Sequence, residues 1–305
     1  VSNDIILDRI LGSVIPVLIV VIIGYAYGRW RRPNMSTMNQ INMELFVPML
    51  IFSVLAAKSV DLTEYIPLAL GTVGVVLGSG LLVWPICKLT GIQPKTLIPP
   101  MMFTNTGNLA LPLVLLAFGE TAMPAAIVIF IVSQFIHFTL GFYILDHRAK
   151  VLNRISVPTI LATFAGLAVG FTHTAIPEVV LVPIDMLGQI VIPLMLFSLG
   201  IRMQDVTTND LGVGIFAAIL CPIIGLLIAY GLEPLMQLDP LQWSIFILFA
   251  ALPPGVLNYM VAERYNQEPT RVASIVLIGN IGAIFWMPLS LALAPPLQLS
   301  GRILS

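Results

Sequence analysis

With 305 residues, 58% of them hydrophobic and 10% charged, and a mean hydropathy of +1.00, the chain carries far less charge than a soluble domain of its size, which has about a quarter charged residues. That balance excludes a soluble enzyme or binding module and points to a polytopic membrane protein. The net charge of −1, with no run of Lys and Arg that would make a basic arm, excludes nucleic acid as a partner.

A helix needs about 20 residues to cross the hydrocarbon. In chain order the apolar runs are Leu11–Gly28, Ile41–Ala57, Tyr65–Cys87, Leu97–Phe118 and Met123–Leu145, then Val157–Thr172, Asp185–Gly200, Leu211–Leu232, Trp243–Ala262 and Val272–Ala294. The expectation is an all-α protein of ten spans joined by short connections. The first run lacks a small-residue cleavage site and reads as a spanning helix rather than a signal peptide. Gly71, Gly74, Gly78 and Gly80 give the third span a small face suited to close helix packing. Cys87 and Cys221 stand alone in apolar runs and read as core residues, so neither a disulfide nor a metal pair is expected.

Basic residues orient the spans. Arg29, Arg31, Arg32, Lys88, Lys95, Arg148, Lys150, Arg154, Arg202, Arg264 and Arg271 follow odd-numbered spans, 11 of the 14, against Arg9, Lys58 and Arg302 on the other face. The rich face is the cytoplasmic one by the positive-inside rule, so both termini are expected outside, the periplasm in a bacterium, with the chain in the inner (plasma) membrane.

The two halves repeat. Pro16, Gly24 and Gly28 match Pro158, Gly166 and Gly170 at a displacement of 142 residues, and Pro48, Phe52 and Ser53 match Pro193, Phe197 and Ser198 at 145. Spans one, two, four and five therefore correspond to spans six, seven, nine and ten. Five spans per copy is odd, so residues 1–152 and 153–305 are expected as inverted five-helix repeats about an axis in the membrane plane, an arrangement of many secondary transporters.

Asn105-Thr106-Gly107-Asn108 interrupts span four, and Leu252-Pro253-Pro254-Gly255 interrupts span nine about 146 residues later. Non-helical backbone at membrane depth survives only where protein or a water-filled cavity satisfies it. If the two broken spans cross at mid-membrane, the later half of each begins at the joint with free N–H groups and partial positive charge facing inward. Two such ends make an anion site that needs no buried Lys or Arg. The expected substrate-binding residues are Asn105, Thr106, Gly107, Asn108, Pro253, Pro254, Gly255 and Asn258. A plain kink packed by neighbouring helices is the alternative for either break alone. Glu44, one turn before Pro48, is the candidate for proton or ion coupling, with a snorkelling carboxylate as the alternative. Gln134, His137 and Asn280 flank the broken spans and fit either a cavity wall or interhelical hydrogen bonds. Glu263 and Arg264 read as a solvated helix end, with Arg271 as a further partner.

Neither His-Glu-x-x-His nor Gly-x-Ser-x-Gly occurs, and no pair of Asp residues lies within spans, so a membrane enzyme is not expected. The lack of a Gly-x4-Gly-Lys-[Ser/Thr] loop argues against a primary pump. No cofactor or metal is expected.

Ala251-Leu252-Pro253-Pro254-Gly255, followed by Ala262, Tyr265-Asn266 and Pro269, resembles the last broken helix of the auxin efflux carrier family. Asn105-Thr106 with Leu111-Pro112 and Gly119 resembles its first broken helix, and the Pro48…Phe52 and Pro193…Phe197 pair matches too. The resemblance spans nearly the whole chain and implies a fold distantly similar to the bile acid sodium symporters. It implies a scaffold of spans one, two, six and seven, often the dimer surface, and a moving core of spans three to five and eight to ten. The implied activity is transport of a small organic anion, auxin-like or malate- and malonate-like, by an elevator-like alternation. The implied partners are that anion, the lipid bilayer, H+ or Na+, and a second copy in a homodimer. Unlike the plant exporters, the chain lacks a long central loop, having only Asp146–Ser156, and resembles a short prokaryotic member. A sodium-coupled symporter of a larger amphipathic anion, and a channel or sensor on a transporter fold, are the alternatives.

Overall fold

The structure, a computed structural model, describes residues 3–56, 62–145, 157–172, 174–204 and 210–295. The short central connection at 146–156 and the charges Lys58, Arg148, Lys150, Arg154 and Arg302 lie outside the described residues. Among those described, every regular element is helical. α1 (Asn3–Arg31) covers the first predicted span. α2 (Ser36–Ile41) runs through a π-helical turn, Asn42–Phe46, into α3 (Val47–Leu55). A 3-10 turn, Leu62–Tyr65, opens α4 (Ile66–Thr90). The fourth predicted span is divided into α5 (Pro94–Met102) and a π-helical turn, Thr106–Ala110, that continues as α6 (Leu111–Phe118). The fifth comprises a 3-10 turn, Glu120–Ala122, then α7 (Met123–Ile136), a π-helical turn, His137–Gly141, and α8 (Phe142–Leu145). In the second half come α9 (Val157–Thr172), α10 (Glu178–Gln189), α11 (Val191–Arg202) and α12 (Leu211–Met236). The last are α13 (Pro240–Ala250), α14 (Leu257–Arg264) and α15 (Pro269–Leu293).

Six helical stretches among the described residues are long and apolar enough to cross a membrane: Thr37–Leu55, Thr63–Thr90, Glu120–Leu145, Glu178–Ile201, Leu211–Met236 and Pro269–Leu293. Thr106–Phe118, Pro158–Thr172 and Pro240–Ala250 are apolar but shorter. Local chemistry sets many of the ends. Proline occupies the first position of α5, α13 and α15, where its missing N–H would have no intrahelical acceptor. Gly91 closes α4 in the left-handed conformation at φ +71°. Asp239 caps α13, its carboxylate accepting the N–H groups of Leu241 at 2.8 Å and Gln242 at 2.9 Å.

Several boundaries differ from the sequence expectation. The first interruption is centred on Phe103–Asn105, because the chain resumes turning at Thr106 with the Asn105 carbonyl accepting Ala110 N–H at 3.2 Å. Gly107 and Asn108 therefore belong to the π-helical turn. The second interruption is wider than expected, from Ala251 to Val256, since Pro253 and Pro254 donate no N–H and disfavour helix in the residues before them. The seventh span begins at Glu178, earlier than expected, and has a turn at Ile190. Pro193 offers no N–H to the carbonyl four residues before it, and Leu194 N–H reaches back to Ile190 at 3.2 Å.

Helices pack most closely where glycine removes the side chain. α1 and α11 meet backbone to backbone: a Cβ on Gly24 would strike the Phe197 carbonyl, and one on Gly200 would strike the Val21 carbonyl. α3 lies against α9 and α10, while α4 lies against α5, α7 and α12, and α12 against α15. The small face of α4 serves close packing: Gly71, Gly74 and Gly78 meet Met236, Leu232 and Ile228 of α12. Cys87 and Cys221 are buried free thiols, as expected of core residues.

A polar cluster ties the start of α5 to the turn between α14 and α15. The Thr96 hydroxyl donates to the Glu268 carboxylate, which also accepts Arg271 at 2.8 Å, and Gln267 donates to Gln93 at 2.8 Å. Arg271 also lies 3.5 Å from Asp210, so it pairs with Glu268 and Asp210 rather than with Glu263. Glu263 instead accepts the Tyr259 hydroxyl at 3.2 Å.

Gly200→Leu should force α1 and α11 apart and lower stability by about 1–3 kcal/mol, as overpacking does. Gly212→Leu should change it little, since nothing lies within 4 Å of a Cβ there. Thermal unfolding of the two variants in one detergent checks the contrast.

Candidate functional site

The two interruptions meet. Thr104 and Pro254 form an isolated antiparallel bridge. Asn105 N–H donates to the Pro253 carbonyl at 2.8 Å, and Gly255 N–H donates to the Phe103 carbonyl at 2.9 Å. Each break thus satisfies part of the other's backbone, which neither could do as a lone kink. Glycine is required at 255 because a Cβ would come within 2.9 Å of the Thr104 carbonyl oxygen. Phe103, Leu252, Pro253 and Pro254 are all buried.

Three asparagines brace this joint. Asn258 donates its side-chain amide to the Phe103 carbonyl at 2.7 Å and to the Gly255 carbonyl at 2.8 Å, so one group spans both breaks. Asn280, from the middle of α15, donates to the Pro254 carbonyl at 2.9 Å and to the Val276 carbonyl at 2.7 Å. Its oxygen accepts the Asn105 side-chain amide at 2.7 Å. All three asparagines are buried, and all their bonds here are neutral hydrogen bonds.

A cavity of about 1760 Å³ opens beside the joint. Its wall includes Thr104, Asn105, Thr106, Gly107 and Asn108 of the first break and Gly255, Val256 and Leu257 of the second. Thr106 N–H turns back to the Thr104 carbonyl at 2.9 Å, and Asn258 and Tyr259 N–H to the Gly255 and Val256 carbonyls at 3.1 Å. Gly107 and Asn108 in the first turn after one break and Val256 and Leu257 at the start after the other line the cavity, so two helix N-termini border one space. The wall extends to Arg29 in the last turn of α1, to Arg32 just after it, and to Glu44 on the π-helical turn before α3.

The expected site residues separate into two groups. Asn105, Thr106, Gly107, Asn108 and Gly255 line the cavity, with Asn108 half-buried and its side chain free of hydrogen bonds to other described residues. Pro253, Pro254 and Asn258 lie inside the joint and do not line the cavity. Glu44 lines it from an exposed turn, where its carboxylate accepts the Gln40 amide at 3.0 Å. His137 and Gln134 also line it. Asn280 was readable as a polar residue on span ten, but nothing in its spacing told that it would brace Pro254. Phe103 was not readable as a site residue, since its contribution is a carbonyl. No group of three or more His, Cys, Asp or Glu that could hold a metal occurs among the described residues.

The sequence matches the family described as membrane transport protein over residues 9–154 and 147–291. It is 25% identical over 288 residues to an uncharacterized transporter of Methanocaldococcus jannaschii, covering 87% of this chain and 92% of that protein. It is also 25% identical over 296 residues to a Rhizobium meliloti protein named "Putative malonate transporter", covering 90% of this chain and 92% of that one.

Asn258→Ala should leave the Phe103 and Gly255 carbonyls short of a donor in a buried joint and cost about 1–3 kcal/mol. Amide hydrogen exchange at 255–260 should quicken in this variant, while exchange at the α1–α11 contact stays slow. Equal exchange in wild type and variant would contradict the bracing role.

Proposed function

The chain belongs to the membrane transport protein family, that of the auxin efflux carriers, and we propose that it is a secondary transporter moving a small organic anion by alternating access. The observation that carries this reading is the pair of helix N-termini, Thr106–Asn108 and Val256–Leu257, bordering one cavity beside a backbone joint. Partial positive charge from peptide dipoles can hold a carboxylate there without a buried Lys or Arg. The Rhizobium relative's name points to malonate, so the proposed substrate is a malonate- or malate-like carboxylate, bound by Thr106, Gly107 and Asn108 on one side and Gly255 on the other. Asn105, Pro253, Pro254 and Asn258 hold the two sides in register.

The proposed architecture is ten spans in two inverted repeats, 1–152 and 153–305, with spans four and nine crossing at the joint. Contact pairs support it: α1 packs on α11 as α9 packs on α3, and α4 packs on α7 as α12 packs on α15. A two-fold axis in the membrane plane exchanges the members of each pair. Spans one, two, six and seven form the scaffold and the homodimer surface, and spans three to five with eight to ten form the moving core. The cavity reaches Arg29 and Arg32 on the face rich in basic residues, so this conformation is assigned as open to the cytoplasm, with both termini on the opposite side. An elevator-like displacement of the core then carries the joint and its anion past the scaffold.

A thermal-shift titration of the purified protein with malonate and malate tests the reading. Ligand at 100 times its dissociation constant should raise stability by about 2.7 kcal/mol. Asn108→Ala should keep the ligand-free melting temperature and weaken binding about tenfold, equivalent to about 1.4 kcal/mol. Mono- and dicarboxylates that all leave the melting temperature unmoved would contradict the reading. In vesicles, saturable uptake with counterflow is expected of a carrier, and flux without either would mark a pore.

A further inference from the structure

His137 opens the π-helical turn after α7, and its ring lies flat on Phe103, with centroids 4.1 Å apart and planes 3° from parallel. Phe103 is the residue whose carbonyl accepts both Gly255 N–H and the Asn258 amide, so the imidazole packs on the side chain of a residue of the joint. Room for the stack depends on Gly141: a Cβ there would come within 2.7 Å of the Phe103 ring and 2.8 Å of the His137 ring. His137 is buried, at 4% exposure, yet belongs to the wall of the cavity that Thr106 and Asn108 line. Its ring makes no hydrogen bond to another described residue.

The groups packed against this imidazole are Phe103 from the break after α5, Phe138 and Gly141 from its own turn, and Phe142 from α8, none of them titratable. Tyr265, beyond α14, meets Phe142 edge-on one layer further out. The remaining titratable groups on the cavity wall are Arg29, Arg32, Glu44 and Tyr259, among the described residues. Glu44 sits on an exposed turn with Gln40 as its partner. An imidazolium at 137 thus has no carboxylate against it, and its only local support is the Phe103 face, which attracts a cation weakly. A carboxylate entering the cavity supplies the missing countercharge.

We infer that His137 is the proton-coupling residue of the transport cycle, taking up one proton when a carboxylate binds beside the joint and releasing it when the carboxylate leaves. The inference rests on the anion-binding reading of the site. Binding linkage is reciprocal, so a protonated His137 strengthens anion binding by the same factor as the anion strengthens protonation. The proton sits on an imidazole nitrogen throughout, and no bond of the substrate is made or broken.

The test measures proton uptake on malonate binding, in weakly buffered protein with a pH indicator, between about pH 6.5 and 8.5, where both malonate carboxyls are ionised. Proton uptake by wild type should be largest at the acid end, approaching one proton per malonate, and shrink towards pH 8.5, while its affinity should fall as pH rises by at most about tenfold per unit, the limit for one coupled proton. His137→Phe keeps a ring on Phe103 and His137→Gln keeps a polar side chain; both should bind malonate more weakly, with no proton uptake and no pH dependence. In vesicles, both variants should exchange labelled malonate for unlabelled yet fail to accumulate it under an imposed pH gradient. Glu44→Gln should retain the proton uptake. Uptake of a proton by His137→Phe or His137→Gln as in wild type, or none by wild type that does bind malonate, overturns the coupling role. Wild type that binds no malonate or other carboxylate at any pH overturns the anion site itself, a separate result.

Discussion

Two reciprocal backbone hydrogen bonds, Asn105 to Pro253 and Gly255 to Phe103, are the constraint on which the rest depends. A helix that stops within an apolar chain leaves N–H and C=O groups that hydrocarbon cannot satisfy, at several kcal/mol for each group. Here each break supplies partners for the other, and three asparagines supply most of the remainder. The joint needs both halves of the chain, about 150 residues apart in sequence, and that separation couples the two halves of the fold.

Once the joint exists, the chemistry of the cavity follows. The chain leaves the joint by starting helices, and helix starts present donors. The Gln93–Thr96–Glu268–Arg271 cluster fastens α5 to the α14–α15 turn. That cluster and the asparagine braces grip the broken helices at two levels beside the cavity.

Much of this was legible in sequence because the signals were chemical exceptions in an apolar background. Pro253-Pro254 cannot continue a helix, Asn105-Thr106-Gly107-Asn108 is polar where hydrocarbon is expected, and the repeated Gly24 marks a backbone-to-backbone helix contact. What the sequence left hidden were roles carried by backbone or by distant partners. Asn258 resembled a substrate ligand but braces Phe103, a residue 155 positions away. Asn105 splits its amide between the cavity wall and Asn280. The shift of the first break to Phe103–Asn105 depends on a π-helical turn whose i to i+5 bonds have no residue-type signature. His137 read as one polar residue among three, and its place on Phe103 emerges only when Gly141 is seen to leave room for two rings.

A structure of the protein with bromomalonate bound, located by the anomalous signal of the bromine, tests the central claim most directly. The account predicts the ligand's carboxylate against the Gly107 and Asn108 backbone N–H groups, facing the start of α14, with both backbone bonds of the joint intact. A ligand held elsewhere in the cavity, with water or side chains filling the space between those two helix starts, would contradict it.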